Sequence, residues 1–137
     1  MPLRIHTSIR DYKSAEDAIA GMLADANPPD ALFTRKNSTT IFAFEALQKL
    51  GVPVPKKMAL LSFDDFERTS TVRPSITAVQ QPVEEIGRVT AEMLFAQLFG
   101  AGNEDEAGGS RKGRHATLET RLIRRAPCGC TPSFGAD

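Results

Sequence analysis

The sequence predicts an α/β fold built on a parallel sheet, and three observations carry that reading. Two short apolar runs, 31–34 and 58–63, flank the amphipathic stretch 38–51, giving strand, helix and strand in succession. Each run ends on polar groups, Thr34-Arg35-Lys36-Asn37 and Ser62-Phe63-Asp64-Asp65. That is how a buried strand delivers ligand contacts to a cleft at its C-terminal end. The run 58–63 is also almost continuously apolar, as expected of a strand covered on both faces in a parallel sheet.

Each element has its own signals. Ser14 with Asp17 three residues later resembles a capping box, and Ala15, Ala18, Ile19, Met22, Leu23 and Ala26 follow at helical spacing. Asn27-Pro28-Pro29 stops that helix before the strand 31–34. Asn37 or Ser38 can cap the second helix, whose apolar face is Ile41, Phe44, Leu47 and Leu50. Lys49 and Gly51 suit its C-terminus. Val52-Pro53-Val54-Pro55 is a stiff connector to the strand 58–63. A loop through Arg73-Pro74 leads to a short strand at 76–79.

Pro82 then fits the first turn of a helix reaching Phe99, with Glu84 and Glu85 set against its N-terminal dipole. Its apolar arc (Val83, Ile86, Val89 or Thr90, Met93, Leu94, Leu98, widened by Phe95 and Phe99) requires a large partner surface. Residues 101–115 are glycine-bearing and dense in mixed charge, which predicts a flexible loop. Alternation returns for a last strand within 116–125, and 126–137 is expected to be disordered.

Composition excludes several classes of function. At 137 residues the chain is one domain, or one lobe of a larger protein. Seventeen basic residues balance seventeen acidic ones, so net charge does not advertise nucleic acid or membrane. The lack of an apolar run of about 20 residues argues against a membrane span. Met1-Pro2-Leu3-Arg4 is followed by polar sequence rather than a secretion signal, so a cytoplasmic protein is expected. Cys128 and Cys130 have no third Cys or His nearby to complete a metal site, and His6 and His115 read as solvated. No glycine-rich phosphate loop and no Gly-x-Ser-x-Gly elbow is present, so neither a cofactor nor an enzyme is expected.

Four segments occur in the order and spacing of a known family. Pro29-Asp30-Ala31-Leu32-Phe33 resembles its strand before an Asn-Asp pair. Residues 46–55, Ala-Leu-Gln-Lys-Leu-Gly-Val-Pro-Val-Pro, resemble its leucine-glycine, valine-proline helix exit. Leu61-Ser62-Phe63-Asp64-Asp65 resembles Val-Gly-Phe-Asp-Asp, and Arg73-Pro74-Ser75-Ile76-Thr77-Ala78-Val79-Gln80-Gln81-Pro82 resembles its proline-to-Gln-Pro crossover. The chain is therefore similar to the effector-binding core of lactose-repressor-type bacterial transcription regulators over residues 14–98, and more weakly at 118–124.

The resemblance implies a periplasmic-binding-protein-like fold. Residues 1–81 would be mainly the C-terminal lobe, and 82–100 the returning helix that packs in the other lobe. Most of the first lobe and the helix-turn-helix are expected to be absent, so operator DNA would be met only through a part outside this chain. The implied function is binding of a small effector (a sugar, sugar acid or phosphosugar) together with homodimerisation. A transport-type sugar-binding protein is the alternative.

Candidate site residues follow. Asp64 is placed to accept effector hydroxyls, or else to cap the next turn. Lys36-Asn37 stands where the family has Asn-Asp. A cation there favours a carboxylate or phosphate, unless Lys36 pairs with Asp64 or faces solvent while Asn37 caps the helix. Arg35 either joins Lys36 or points outward. Tyr12 resembles an aromatic that stacks on the effector, and Gln81 a crossover glutamine near the cleft or hinge. The dimerising faces would carry Phe42, Glu45 and Phe66.

Overall fold

In the computed structural model, residues 5, 9–99 and 115–125 are described. The chain divides into two compact units, one of Met1–Gln80 with Leu122–Asp137 and the other of Gln81–Arg121. Its elements are α1 (Tyr12–Leu23), β1 (Ala31–Thr34), α2 (Asn37–Lys49), β2 (Ala59–Phe63), α3 (Glu67–Thr71), β3 (Thr77–Gln80), α4 (Val83–Phe99) and β4 (Arg121–Ile123). The four strands form one sheet in the order β1-β2-β3-β4, and the β1–β2 and β2–β3 pairs are parallel.

In the first unit, α1 is capped one turn earlier than the Ser14–Asp17 pattern suggested. Asp11 is the N-cap: its carboxylate accepts from Ser14 N–H at 2.8 Å, and Ser14 Oγ accepts from Asp11 N–H at 3.0 Å. Ser14 therefore closes a capping box from its far end, and Asp17 pairs instead with Lys13 on the helix surface. Helix α2 ends as its sequence requires. Gly51, at φ +65°, follows the cap residue Leu50. Val52 N–H reaches Leu47 O at 2.9 Å and Gly51 N–H reaches Gln48 O at 3.0 Å, the two bonds of a Schellman turn. Val52 and Leu47 are both buried, adding the apolar contact that accompanies this turn.

The core lies where α1 and α2 cover the sheet. Ala15 and Ile19 of α1 join Ala43, Phe44, Ala46 and Leu47 of α2, with Met58, Leu60 and Ile76 beneath them. Leu47, Met58, Leu60 and Ile76 are wholly buried. Burial alternates along β2, so the expectation of equal cover on both faces is corrected: Leu60 and Ser62 point into the core, while Ala59, Leu61 and Phe63 are half-buried. On that second face Phe33 is 60% exposed and meets Phe63 edge-on at 6.5 Å between ring centres. Between β2 and β3, read from sequence as loop, lies the one-turn helix α3; Thr69, fully buried, anchors it with a 2.6 Å bond to Phe66 O.

In the second unit, Pro82 sits just before α4 and its carbonyl accepts from Ile86 N–H at 2.9 Å. Glu84 and Glu85 occupy the first turn as the sequence indicated. Arg88 bridges Glu85 and Glu92 along one face. No residue of α4 is buried, and Leu94, Phe95, Leu98 and Phe99 are all more than half exposed. Strand β4 is shorter than the 116–125 expected, because only Arg121–Ile123 pairs with the sheet. Residues 100–114, most of the expected flexible loop, and the expected disordered tail 126–137 lie outside the described residues.

Leu47 tests the core. Leu47→Ala removes a fully buried side chain at the α1–α2–sheet junction, and urea denaturation should show a loss of about 3 kcal/mol. A loss under about 1 kcal/mol would mean that the helices are not packed there as described.

Candidate functional site

Strands β1 and β2 run parallel with Thr34 opposite Ser62, so the polar segments that follow them leave the same edge of the sheet side by side. Such an edge, at the C-terminal ends of parallel strands, is where open α/β sheets bind ligands. Asp64 lies two residues beyond Ser62 and Lys36 two beyond Thr34.

Asp64 has φ +79°, the only positive value at a non-glycine among the described residues. Left-handed backbone at such a residue costs about 1 kcal/mol and is held only where its surroundings fix it. Here they do, from both sides: Asp64 N–H donates to Val79 O of β3 at 2.9 Å, and Asp64 O accepts from Ser62 Oγ at 3.1 Å. Its side chain is half-buried at the strand end. Lys36 is exposed and occupies the N-cap position of α2 without a side-chain capping bond. Asn37 is the first helical residue and is also exposed, which corrects the reading of Asn37 or Ser38 as the cap. The contemplated Lys36–Asp64 ion pair does not form among the described residues, and Arg35 is exposed.

Beneath these positions lies a buried cluster of hydroxyls that the sequence reading did not single out. Thr34 Oγ1 and Thr40 Oγ1 are 2.8 Å apart, and Thr40 Oγ1 and Ser62 Oγ are 3.0 Å apart. The cluster reaches main-chain carbonyls at Leu61 (3.0 Å from Thr34), Lys36 (3.1 Å from Thr40), Phe63 (3.2 Å from Ser62) and Asp64 (3.1 Å from Ser62). Its members come from β1, α2 and β2, one from each. The signal was available: Thr34 and Ser62 both sit at inward positions of strands, where hydroxyls need partners.

A second unforeseen residue is Arg125, just past β4. Its guanidinium holds Asp65 in a bidentate pair at 2.7 and 2.9 Å and also donates to Ile76 O at 2.8 Å. Thr69 Oγ1 adds a 2.5 Å bond to Asp65, and Thr77 Oγ1 exchanges bonds of 2.8 Å with the main chain of Arg125. The Arg125 guanidinium is the chief reason that the Asp65 carboxyl lies below its ordinary value of 3.8, helped by Thr69 and opposed by burial. Of the two adjacent aspartates, Asp65 is thus committed to the pair with Arg125, and Asp64 closes the strand end beside it. The family resemblance extended only to 124, one residue short of this arginine.

The remaining candidates divide as follows. Tyr12 begins α1, half-exposed, with its ring edge-on to Phe42 of α2 at 4.4 Å between centres. Phe42 is accordingly half-buried against its own core rather than standing off it. Glu45 is exposed on α2, and Phe66 is half-buried at the start of α3. Gln81 belongs to the second unit, where it lines a groove of about 290 Å³ with Ile86, Val89, Met93 and Leu118. His6, Cys128 and Cys130 lie outside the described residues. Among the described residues no three His, Cys, Asp or Glu side chains are grouped to hold a metal ion. No described helix is long and apolar enough to cross a membrane.

The model of the periplasmic binding protein-like domain matches residues 2–128 of this chain. The chain belongs to that family. Among its relatives is the HTH-type transcriptional repressor MelR of Bacillus subtilis, 35% identical over 128 residues, covering 92% of this chain and 35% of MelR. Among solved structures, a putative transcriptional regulator of the LacI family from Sanguibacter keddieii superimposes with a TM-score of 0.72. It is 30% identical, over 90% of this chain and 44% of that one. The transcriptional regulator CelR, solved with cellobiose, gives a TM-score of 0.69 at 27% identity, over 85% of this chain and 33% of that one. This periplasmic binding protein-like chain thus spans about a third of the length of MelR, and its relatives here are lactose-repressor-type regulators rather than transport proteins.

The Asp65–Arg125 pair gives a prediction with a definite sign. Because the folded-state pKa of Asp65 is depressed, its stabilisation is complete above pH 3.8 and is lost as pH falls from there through the lower folded value. Asp65→Asn should therefore narrow the loss of stability that the wild type shows between neutral pH and about pH 3. At neutral pH, Arg125→Met should cost about 3 kcal/mol, since it strands a mostly buried carboxylate. Chemical denaturation at both pH values reads each effect, and equal acid sensitivity of wild type and Asp65→Asn would reject it.

Proposed function

We propose that this chain is the effector-binding and dimerisation part of a cytoplasmic transcription regulator, and that it acts by binding rather than by catalysis. The observation that carries this is the pinned, left-handed Asp64 at the C-terminal edge of a parallel sheet, beside the exposed Lys36. A carboxylate carried on a fixed backbone accepts hydroxyl donors from a polyhydroxylated ligand. A neighbouring lysine adds a point charge that favours a ligand also carrying an acid group. The effector class inferred is therefore a sugar acid or phosphosugar, with Asp64 and Lys36 as direct contacts and Asn37, Arg35 and Tyr12 as supporting ones. The sugar in the name of the CelR complex is consistent with the hydroxyl half of this chemistry. In the whole regulator, ligand binding would shift a conformational population that sets the DNA-binding heads.

NMR titration suits this site, because it detects weak binding. Gluconate and glucose 6-phosphate at millimolar concentration should shift the Lys36 and Asp64 amides, and glucose should do so less. Lys36→Ala should erase the difference between gluconate and glucose, while Asp64→Ala should weaken all three. Equal responses to charged and neutral sugars would reject the role of Lys36.

The proposed homodimer uses the exposed side of α2 and the start of α3. Light scattering at micromolar concentration should show a dimer, and Glu45→Arg with Phe66→Ser should yield a monomer. Glu45 is the cleaner probe, since Phe42 packs within its own subunit. A monomeric wild type would remove this part of the reading.

A further inference from the structure

Counting protons in the buried hydroxyl cluster restricts what it can do. Thr34, Thr40 and Ser62 each have one hydroxyl proton to donate. The Thr34–Thr40 and Thr40–Ser62 contacts, 2.8 and 3.0 Å, each require a proton between the oxygens. Two protons are so used, and one remains for an outer carbonyl. If the chain of bonds runs from Ser62 to Thr40 to Thr34, the last proton goes to Leu61 O. In the opposite sense it runs from Thr34 to Thr40 to Ser62, and the last proton goes to the carbonyl of Asp64 or Phe63. In a third arrangement Thr34 and Ser62 both donate to Thr40, whose own proton goes to Lys36 O at 3.1 Å. The cluster therefore has three outlets for its one remaining proton, one of which is the main chain of Asp64.

Its other branch meets the second strand end. Thr40 Oγ1 lies 3.1 Å from Lys36 O, which also accepts from Thr40 N–H at 2.9 Å. The carbonyls of both inferred ligand contacts therefore compete for the one proton left in the buried group of hydroxyls. Thr40 and Ser62 have no exposed surface, so water does not substitute for these bonds. A core needing only to be filled would be served by valine and alanine, which demand no partners.

We propose that Thr34, Thr40 and Ser62 are positioning residues of the strand-end site, whose hydroxyl relay sets the left-handed backbone of Asp64 and couples it to Lys36. In the sense ending on Asp64, the relay braces that carbonyl. In the other arrangements that brace is released, while the bond from Asp64 N–H to Val79 O remains. The ligand class rests on the reading given under Proposed function, whereas the coupling between the two strand ends does not.

The test compares Thr40→Val, which keeps the shape and removes the hydroxyl, with Thr40→Ser, which keeps the hydroxyl. In amide NMR spectra of the 137-residue chain, Thr40→Val should move the Asp64 amide as well as Lys36 and Asn37, and Thr40→Ser should leave Asp64 in place. Gluconate should bind the valine variant about five-fold more weakly than the serine variant, the effect of about one hydrogen bond. An unmoved Asp64 amide in Thr40→Val, or an equal displacement in Thr40→Ser, overturns the relay. If neither gluconate nor glucose 6-phosphate binds the wild type, the ligand class falls while the amide comparison still decides the coupling. Should Thr40→Val not fold, Thr34→Val against Thr34→Ser, one step along the relay, is read by the same criteria.

Discussion

The parallel pairing that sets Thr34 against Ser62 is the constraint on which the site depends. It brings two polar strand ends to one edge, and it also turns one hydroxyl from each strand toward the first turns of α2. A slip of one residue would send the slipped strand's hydroxyl to the opposite face and put its phenylalanine, Phe33 or Phe63, into the core. The register is secured from the helix side by Leu47, Met58 and Leu60, which have no exposed surface, and at its polar end by Thr40. Hydrophobic cover and hydrogen bonding thus specify the same alignment, the agreement between levels that gives a sequence one fold.

Much of the first unit could be read from the chain, because its signals are local. The strand at Ala31–Thr34 was bounded by Pro28-Pro29 on one side and a polar segment on the other, and it folds with those limits. Gly51 marked the end of α2 because only a residue tolerant of positive φ closes that turn without cost. The errors arose where a decision was tertiary. Ser14 carries the features of a cap, and Asp11 wins only because the chain enters the helix one turn sooner. Unequal cover on the two faces of β2 cannot be told from an apolar run, since a half-buried leucine and a fully buried one look alike in sequence.

The site was legible in part for the same reason. Asp64 and Lys36 stand out as polar residues at the ends of apolar strands. The hydroxyl relay joins residues 34, 40 and 62, and Arg125 pairs with Asp65 across sixty positions, separations at which no periodicity operates. Ser62 stands where the resembled motif has glycine, a departure that draws little notice until Thr40 is found beside it. Roles shared between distant segments emerge only when the fold assembles them. The family match supports the fold class and the regulator reading together, while the individual contacts rest on the geometry of this chain.

Arg125 has a further consequence, for the timing of folding. Its bonds to Asp65, Ile76 and Thr77 close loops of about fifty to sixty residues, and such closure is entropically slow to begin. During synthesis, α1, β1, α2, β2 and β3 emerge well before the residue that neutralises Asp65. Until Arg125 leaves the ribosome, the nascent sheet carries an uncompensated carboxylate beside its third strand and lacks its fourth. The first unit therefore completes itself only after residue 125 has been made, and the second unit emerges from the ribosome in the interval.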